Sequence, residues 1–339
     1  MSPYPINVMW PRRRVLTAAV GLTAASLASP SFAQGYPNRP IKLIVGNPPG
    51  GINDTIMRAA AVDAEKKLGQ PVIIENKPGA AGVISFLALK IAQPDGYTIG
   101  VTTPPLWRQP VLEDVTYDPL KDFTFIINVA ESIFAIVVRQ DSPFKTWADV
   151  VAYGRAHPDA VSFGVPPGVN QTGHILMEGI TRKEHLKWVP VGYKGSSESV
   201  TDLMGGQIQF SMEPVVGVSA LVKSGKARFL AVARPNRLKS WPDVPSFADL
   251  GYPVTVESPT GIAGPAHMPA DVVKTLHDAF KFALEQPRVL SVLSQSDQTP
   301  RYMSSDDYTN YAVRAAQKER DLLVEYGMAK KSLAVSAKR

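Results

Sequence analysis

The feature that most constrains this chain is a short segment that occurs twice. Gly46-Asn-Pro-Pro-Gly50 runs on into Gly51-Ile-Asn-Asp-Thr55, and Gly164-Val-Pro-Pro-Gly168 runs on into Val169-Asn-Gln-Thr172. The first copy follows the β-branched apolar run 41–45, which reads as a buried strand. It precedes a helical pattern with Ile56, Ala60, Ala61, Ala64 and Leu68 on one face. Strand, Gly-Pro turn, polar residue and helix together leave unpaired backbone N–H groups at a helix start. First-turn donors and the helix dipole both favour negative charge there, so each copy is an anion seat. Gly50, Gly51 and Gly168 lack a Cβ, which lets backbone approach a ligand closely. One seat in each half of the chain implies two lobes facing one ligand.

The 339 residues are room for about two domains, and 45% apolar with 19% charged residues describes a cored globular protein. The N-terminus reads as an export signal. Arg12, Arg13 and Arg14 precede an apolar, small-residue run at 15–28, shorter than the roughly 20 residues a spanning helix needs. Ser31-Phe32-Ala33 is a small-x-small cleavage site, and cleavage after Ala33 removes residues 1–33. Arg12-Arg13 also fits a twin-arginine signal, so the Sec and twin-arginine routes both stay open. That segment holds three of the 36 basic residues and none of the 30 acidic ones, so without it the charge falls from +6 to +3. No dense basic stripe remains, which argues against nucleic acid as a partner. With no cysteine, disulfides, thiol chemistry and a lipoprotein-type membrane anchor on the mature form are excluded.

Strands alternate with helices, which predicts a parallel, doubly wound α/β sheet with ligands beyond the carboxyl ends of the strands. The loops at 48–54, 78–82 and 103–108 fall at such ends. The second half repeats the scheme, with strands at 161–164, 188–191 and 208–212 and helices at 172–181 and 196–204. The apolar stretches 125–129 and 134–139, broken near Glu131-Ser132, read as one crossing between lobes, and 229–233 as the return. Residues beyond Pro259 read as helical, with a long charged helix over 308–326 on the outside.

Catalytic signatures are missing. Gly46-x-x-x-x-Gly51 is a partial Walker A pattern, but Ile52 and Asn53 stand where a P-loop needs Lys and Ser or Thr. There is no Gly-x-Ser-x-Gly elbow or His-Glu-x-x-His, and none of the five histidines pairs with another at metal spacing. No catalytic residue, metal site or cofactor is therefore expected. The ligand candidates are Pro49, Gly50, Gly51, Asn53 and Asp54 in the first loop, and Pro167, Gly168, Asn170 and Thr172 in the second. Asn53, Asp54, Asn170 and Thr172 also suit plain helix capping. His174 lies on the first turn after the second loop and is a candidate donor. Tyr193 and Gly195 sit at a strand end beside a helix start, and Lys194 there is as suited to a solvated rim. Trp107 either stacks on a ligand or covers its loop, and the role of its neighbour Arg108 is open. Glu213 would repel an anion but hold an ammonium or a hydroxyl.

An ordered series of motifs resembles one family. It runs from Tyr36-Pro-x-Arg39-Pro40 through Pro48-Pro-Gly-Gly51, Asp54 and Arg58 to Leu68-Gly-Gln-Pro-Val72. Glu75-Asn-Lys-Pro-Gly-Ala-x-Gly82, Pro94-Asp-Gly-Tyr97 and Tyr117-Asp-Pro119 follow, then Tyr193-Lys-Gly195, Asp202-Leu-x-Gly-Gly-Gln207 and Pro242-Asp-Val-Pro245. The chain is similar over essentially its whole mature length to the Bug family, the periplasmic solute receptors of tripartite tricarboxylate transporters. The resemblance implies a two-lobed α/β periplasmic-binding-protein fold of the Venus flytrap kind (type II), each lobe a doubly wound sheet flanked by helices. It implies lobe 1 over 36–130 plus 236–330, lobe 2 over 131–235, and hinge strands near 132–139 and 228–234. It further implies capture of a small organic acid, delivery to membrane transporter subunits, and no catalysis; the alternatives are a ligand sensor feeding a signalling partner and an enzyme on an α/β scaffold. The chain departs from the family at Ile52-Asn53, at 165–170, and in lacking a Trp near 258–260. Ile52 and Val169, with Trp107, favour a ligand with an apolar or aromatic body.

Overall fold

The computed structural model describes residues 35–254, 256–295, 298–331 and 333, and the expected signal segment lies outside them. The chain divides into Met1–Asn38 and Arg39–Arg339, and the described regular structure lies in the second. In chain order it begins β1 (Ile41–Val45), α1 (Ile52–Leu68), β2 (Val72–Asn76), α2 (Val83–Lys90), β3 (Thr98–Thr102), α3 (Pro105–Leu112) and β4 (Phe123–Glu131). Next come β5 (Phe134–Arg139), α4 (Trp147–Ala156), β6 (Ser162–Val165), α5 (Thr172–Lys183), β7 (Val189–Gly192), α6 (Ser196–Gly205), β8 (Phe210–Pro214), α7 (Val215–Lys223) and β9 (Ala227–Val232). The chain closes with β10 (Pro259–Pro265), α8 (Ala270–Leu284), α9 (Pro287–Gln295), β11 (Thr299–Met303) and α10 (Ser305–Glu325).

These strands form two mixed sheets, ordered β11-β4-β10-β3-β1-β2 and β7-β6-β8-β5-β9. The parallel parts are β2-β1-β3 and β7-β6-β8. Ile41, Leu43, Ile44 and Val45 are buried, as expected of a central strand covered by helices on both faces. The parallel, doubly wound parts are extended by antiparallel strands: β10 runs antiparallel between β3 and β4, and β5 is antiparallel to both β8 and β9. β10 replaces what the sequence suggested was the start of a helical tail. Its run Pro-Thr-Gly-Ile-Ala-Gly-Pro has little β-branched signal, yet all seven residues are buried. Gly261 makes room for Tyr308: a Cβ there would lie 2.4 Å from the ring. The loop expected over 103–108 becomes α3 after two residues, and the strand expected over 208–212 shifts to Phe210–Pro214.

β4 leaves the first sheet at Glu131 and β5 enters the second at Phe134, so Ser132 and Ile133 make one crossing. The long helix α10 is not an outrider. Tyr308 and Ala312 pack with Trp107 and Phe125, while Leu323 and Tyr326 pack in the core of the second sheet with Val111 of α3. No helix among the described residues is long and apolar enough to cross a membrane.

Candidate ligand-binding site

The first loop leaves β1 through Gly46, where a Cβ would lie 2.6 Å from the Ser85 hydroxyl. Gly50 adopts φ +80, a conformation that favours glycine. The N–H groups of both glycines turn inward: Gly50 donates to Asp54 Oδ2 at 2.8 Å, and Gly51 donates to the Pro48 carbonyl at 3.1 Å. The outward donors are therefore those of the first turn of α1, whose N-cap Gly51 supplies no side chain to cover them. Asp54 is buried and fully engaged. Arg58 Nε donates to Oδ2 at 2.9 Å, and Asn76 Nδ2 donates to Oδ1 at 2.8 Å. Burial alone would raise the Asp54 carboxyl, but the bonds from Arg58, Asn76 and Gly50 together hold it below its ordinary value. Asn53 donates to Asn47 Oδ1 at 3.0 Å and accepts from the Thr260 hydroxyl at 3.2 Å, so it ties the loop to β10. Pro49 is exposed at the tip.

The second loop is held by other means. Pro166–Pro167 is a cis peptide, Gly168 adopts φ +127 and Asn170 φ +66. Gly168 N–H donates to the Val165 carbonyl at 2.7 Å. The residue at the N-cap of α5 is Gln171, and no side chain caps the helix. Asn170 instead donates its backbone N–H to His174 Nδ1 at 3.2 Å. An Nδ1 that accepts leaves the imidazole proton on Nε2, available as a donor. Burial, with Arg108 adding to it against Glu178, holds His174 below its ordinary pKa and so neutral. Thr172 accepts from Arg108 Nη1 at 3.4 Å. Arg108 is 0% exposed and forks onto Glu319 of α10, at 3.0 Å from Nε and 2.6 Å from Nη2.

Gly195 is the N-cap of α6, again without a side-chain cap. The Tyr193 hydroxyl donates to Asp202 at 2.8 Å, and burial followed by that carboxylate pushes its pKa up to about 12. Lys194 is exposed. Glu213 is 0% exposed: Ser211 donates to Oε1 at 2.7 Å, and Oε2 has no hydrogen-bond partner. Burial raises its carboxyl against the pull of Ser199, Ser196 and Ser211. Trp107 is 2% exposed in an aromatic cluster with Phe125, Tyr308 and Tyr311. In this conformation it packs the core, and its ring is not open to stack on a ligand.

A pattern emerges at the helix starts. α1, α2, α5 and α6 follow strands of the parallel parts, and none has a side-chain cap. Side chains do cap α4, through Thr146, and α10, through Ser304. Those two follow the antiparallel strands β5 and β11. α3 and α7, which follow β3 and β8, also lack a side-chain cap, and α8, after the antiparallel β10, lacks one as well. Uncapped starts thus gather at the carboxyl ends of the parallel strands in both sheets, and the loop candidates at 49–54, 167–172 and 195 belong to them.

Sequence reading missed two features. One is the Arg108–Glu319 pair, 211 residues apart, for which no local pattern exists. The other is a cavity of ≈ 400 Å³ at the crossings, lined by Ser132, Ile133, Ala233 and Arg234 among others. Thr172 is the sequence-chosen residue that lines it. Arg301 spans Glu131 and Glu257 there, each at 2.8 Å.

Residues 56–328 match the model of the tripartite tricarboxylate transporter family receptor. A UPF0065 protein in the gbd 5' region of Cupriavidus necator is 37% identical over 314 residues, covering 93% of this chain and 95% of the relative. The structure of the periplasmic binding protein BugD is 25% identical, with TM-score 0.78 over 87% of this chain and 100% of its own. An R. palustris protein solved with adipate is likewise 25% identical with TM-score 0.78, over 87% of this chain and 99% of that one. With the family model spanning most of the chain and two mixed α/β sheets of the matching fold, the chain belongs to the solute-binding receptors of the tripartite tricarboxylate transporter family, among the Bug-type periplasmic binding proteins.

Proposed function

We propose that this receptor works in the periplasm, capturing a small organic carboxylate between the loops at 49–54 and 167–172 and presenting it to membrane transporter subunits. The lobes are 36–130 with 236–330, and 131–235, swinging about the crossings. The observation that carries the reading is the gathering of uncapped helix starts at the parallel strand ends of both sheets. Each offers N–H donors and the positive end of a dipole to an anion. Asp54 does not oppose this, because Arg58 balances its charge inside the loop. His174 Nε2–H adds a neutral donor at the second loop. Gly195 and the Tyr193 ring form the third side, while Pro49 and Pro167 hold the turns. Glu213, buried behind the α6 start, would favour a ligand that also carries a hydroxyl or ammonium if closure exposes it. The adipate-bound relative supports a carboxylate as the ligand class. The work is capture without chemistry, since the titratable groups of the loops are tied up in holding them.

Thermal unfolding in the presence of adipate, malate, glucose and putrescine tests this. A carboxylate at a hundredfold excess over its dissociation constant should stabilise the protein by about 2.7 kcal/mol. Stabilisation by glucose or putrescine alone would overturn the carboxylate assignment.

A further inference from the structure

A second cavity, of ≈ 290 Å³, opens between α3, α10, β11 and the irregular segment at 256–257 before β10. Val256 and Ala315 give it apolar walls, the largely buried Trp107 lies at its base, and Arg314 and Lys318 also line it. Three observations point to a ligand there. Arg314 and Lys318 are one helical turn apart and exposed, and neither forms an ion pair among the described residues. Like charges at that spacing repel, and an anion bound between them would relieve that repulsion. The carboxylates nearby are already engaged, Glu319 by Arg108 and Glu257 by Arg301. Trp107 is one of the lining residues, and its indole N–H is buried without an acceptor, which is costly.

We propose that this cavity is a second small-molecule site, separate from the two loops, for a carboxylate with an apolar body and a further acceptor at its far end. The carboxylate would sit between Arg314 and Lys318, the body against Val256 and Ala315, and the far acceptor would take the Trp107 N–H. The volume is at the small end of ligand pockets, which limits the occupant to about one ring or a short chain. The site shares no residue with the two loops, while Val256, Glu257 and Arg301 also line the cavity at the crossings.

The test is a titration of the full mature protein with 4-hydroxybenzoate, followed by the ¹⁵N indole resonances, with Trp107→Phe assigning the relevant one. The Trp107 resonance should shift and saturate in the millimolar range expected of so small a ligand. Arg314→Ala with Lys318→Ala should weaken that binding at least tenfold while leaving adipate-induced thermal stabilisation intact. Gly51→Val, which impairs the loop site, should leave the Trp107 shift in place. A Trp107 resonance that stays still in folded protein, an unchanged affinity in the double variant, or loss of the shift in Gly51→Val would overturn the proposal. Absence of stabilisation by both adipate and malate, with a normal Trp107 shift, would instead count against the loop reading alone.

Discussion

The two Gly-x-Pro-Pro-Gly loops begin from nearly the same sequence and are held in place by different physics. The first is pinned from close by. Asn47, Asn53, Asp54, Arg58 and Asn76 form one side-chain network, and its charge is balanced locally. The second relies on backbone turns, a neutral imidazole and the buried Arg108–Glu319 pair, which reaches Thr172 from α3 and α10. The first loop is therefore a seat fixed to its own sheet. The second takes its position partly from a helix that also packs against the other sheet, so its geometry follows how the two sheets are arranged. Domain closure in binding proteins shifts populations between such arrangements. If the two loops form the proposed clamp, one jaw is fixed and the other geared, which suits that task.

The largest effect should come from breaking the gear. Glu319→Ala leaves Arg108 buried without a counter-charge and should cost about 3–5 kcal/mol in urea unfolding. Arg108→Met with Glu319→Leu should recover most of that stability yet still weaken ligand binding, because Thr172 loses its anchor. Full recovery of both would show that the pair has no bearing on the second loop.

A smaller loss is expected at the fixed jaw. Asp54→Asn removes acceptors from Gly50 N–H and Arg58 and should cost about 1–3 kcal/mol. Arg58 is half exposed, so its ion-pair share is screened and small. Because the folded Asp54 pKa lies below its ordinary 3.8, its contribution is present above that value and lost as pH falls through the lowered one. Acid titration of stability should show a shallower drop in the variant over that window.

Gly51→Val should leave the fold intact, since its φ is −65, which any residue adopts. The added side chain crowds the Pro48 carbonyl, 3.1 Å from the Cβ position, and shields the start of α1. Carboxylate binding by calorimetry should weaken at least tenfold, about 1.4 kcal/mol. Unchanged affinity in the folded variant would move the site away from the first loop.

The smallest effect concerns His174. Its folded pKa is below the ordinary 6.5, so the unfolded chain binds the proton more readily. Stability should be level above that value and decline as pH falls from it toward the lowered folded pKa. His174→Gln should flatten this decline, and an identical slope in the variant would show that His174 does not titrate on unfolding.

The comparison also explains what was legible in the sequence. Both loops announced themselves because turns need Gly and Pro at fixed offsets and parallel strands need apolar runs. β10 stayed hidden because its burial depends on Gly261 admitting Tyr308, a fit made across the fold. α7 was hidden in the same way, with Pro214 before it and Gly217 inside it. Trp107 reads as a ring that stacks on a ligand at the loops because it follows a strand end, yet the first turn of α3 carries that ring back onto the sheet beside Phe125. Asp54 was readable as a cap, but its partners Arg58 and Asn76 lie on a helix and a neighbouring strand. The Arg108–Glu319 pair joins residues with nothing local in common.

The most direct measurement is a backbone amide titration of the mature protein with whichever of adipate and malate stabilises it against heat. The account predicts that the N–H resonances of Ile52 and Asn53 in α1 and of Thr172 and Gly173 in α5 shift together, with one common dissociation constant. Shifts confined to one of the two helix starts, or gathered at neither, would contradict a clamp built from both loops.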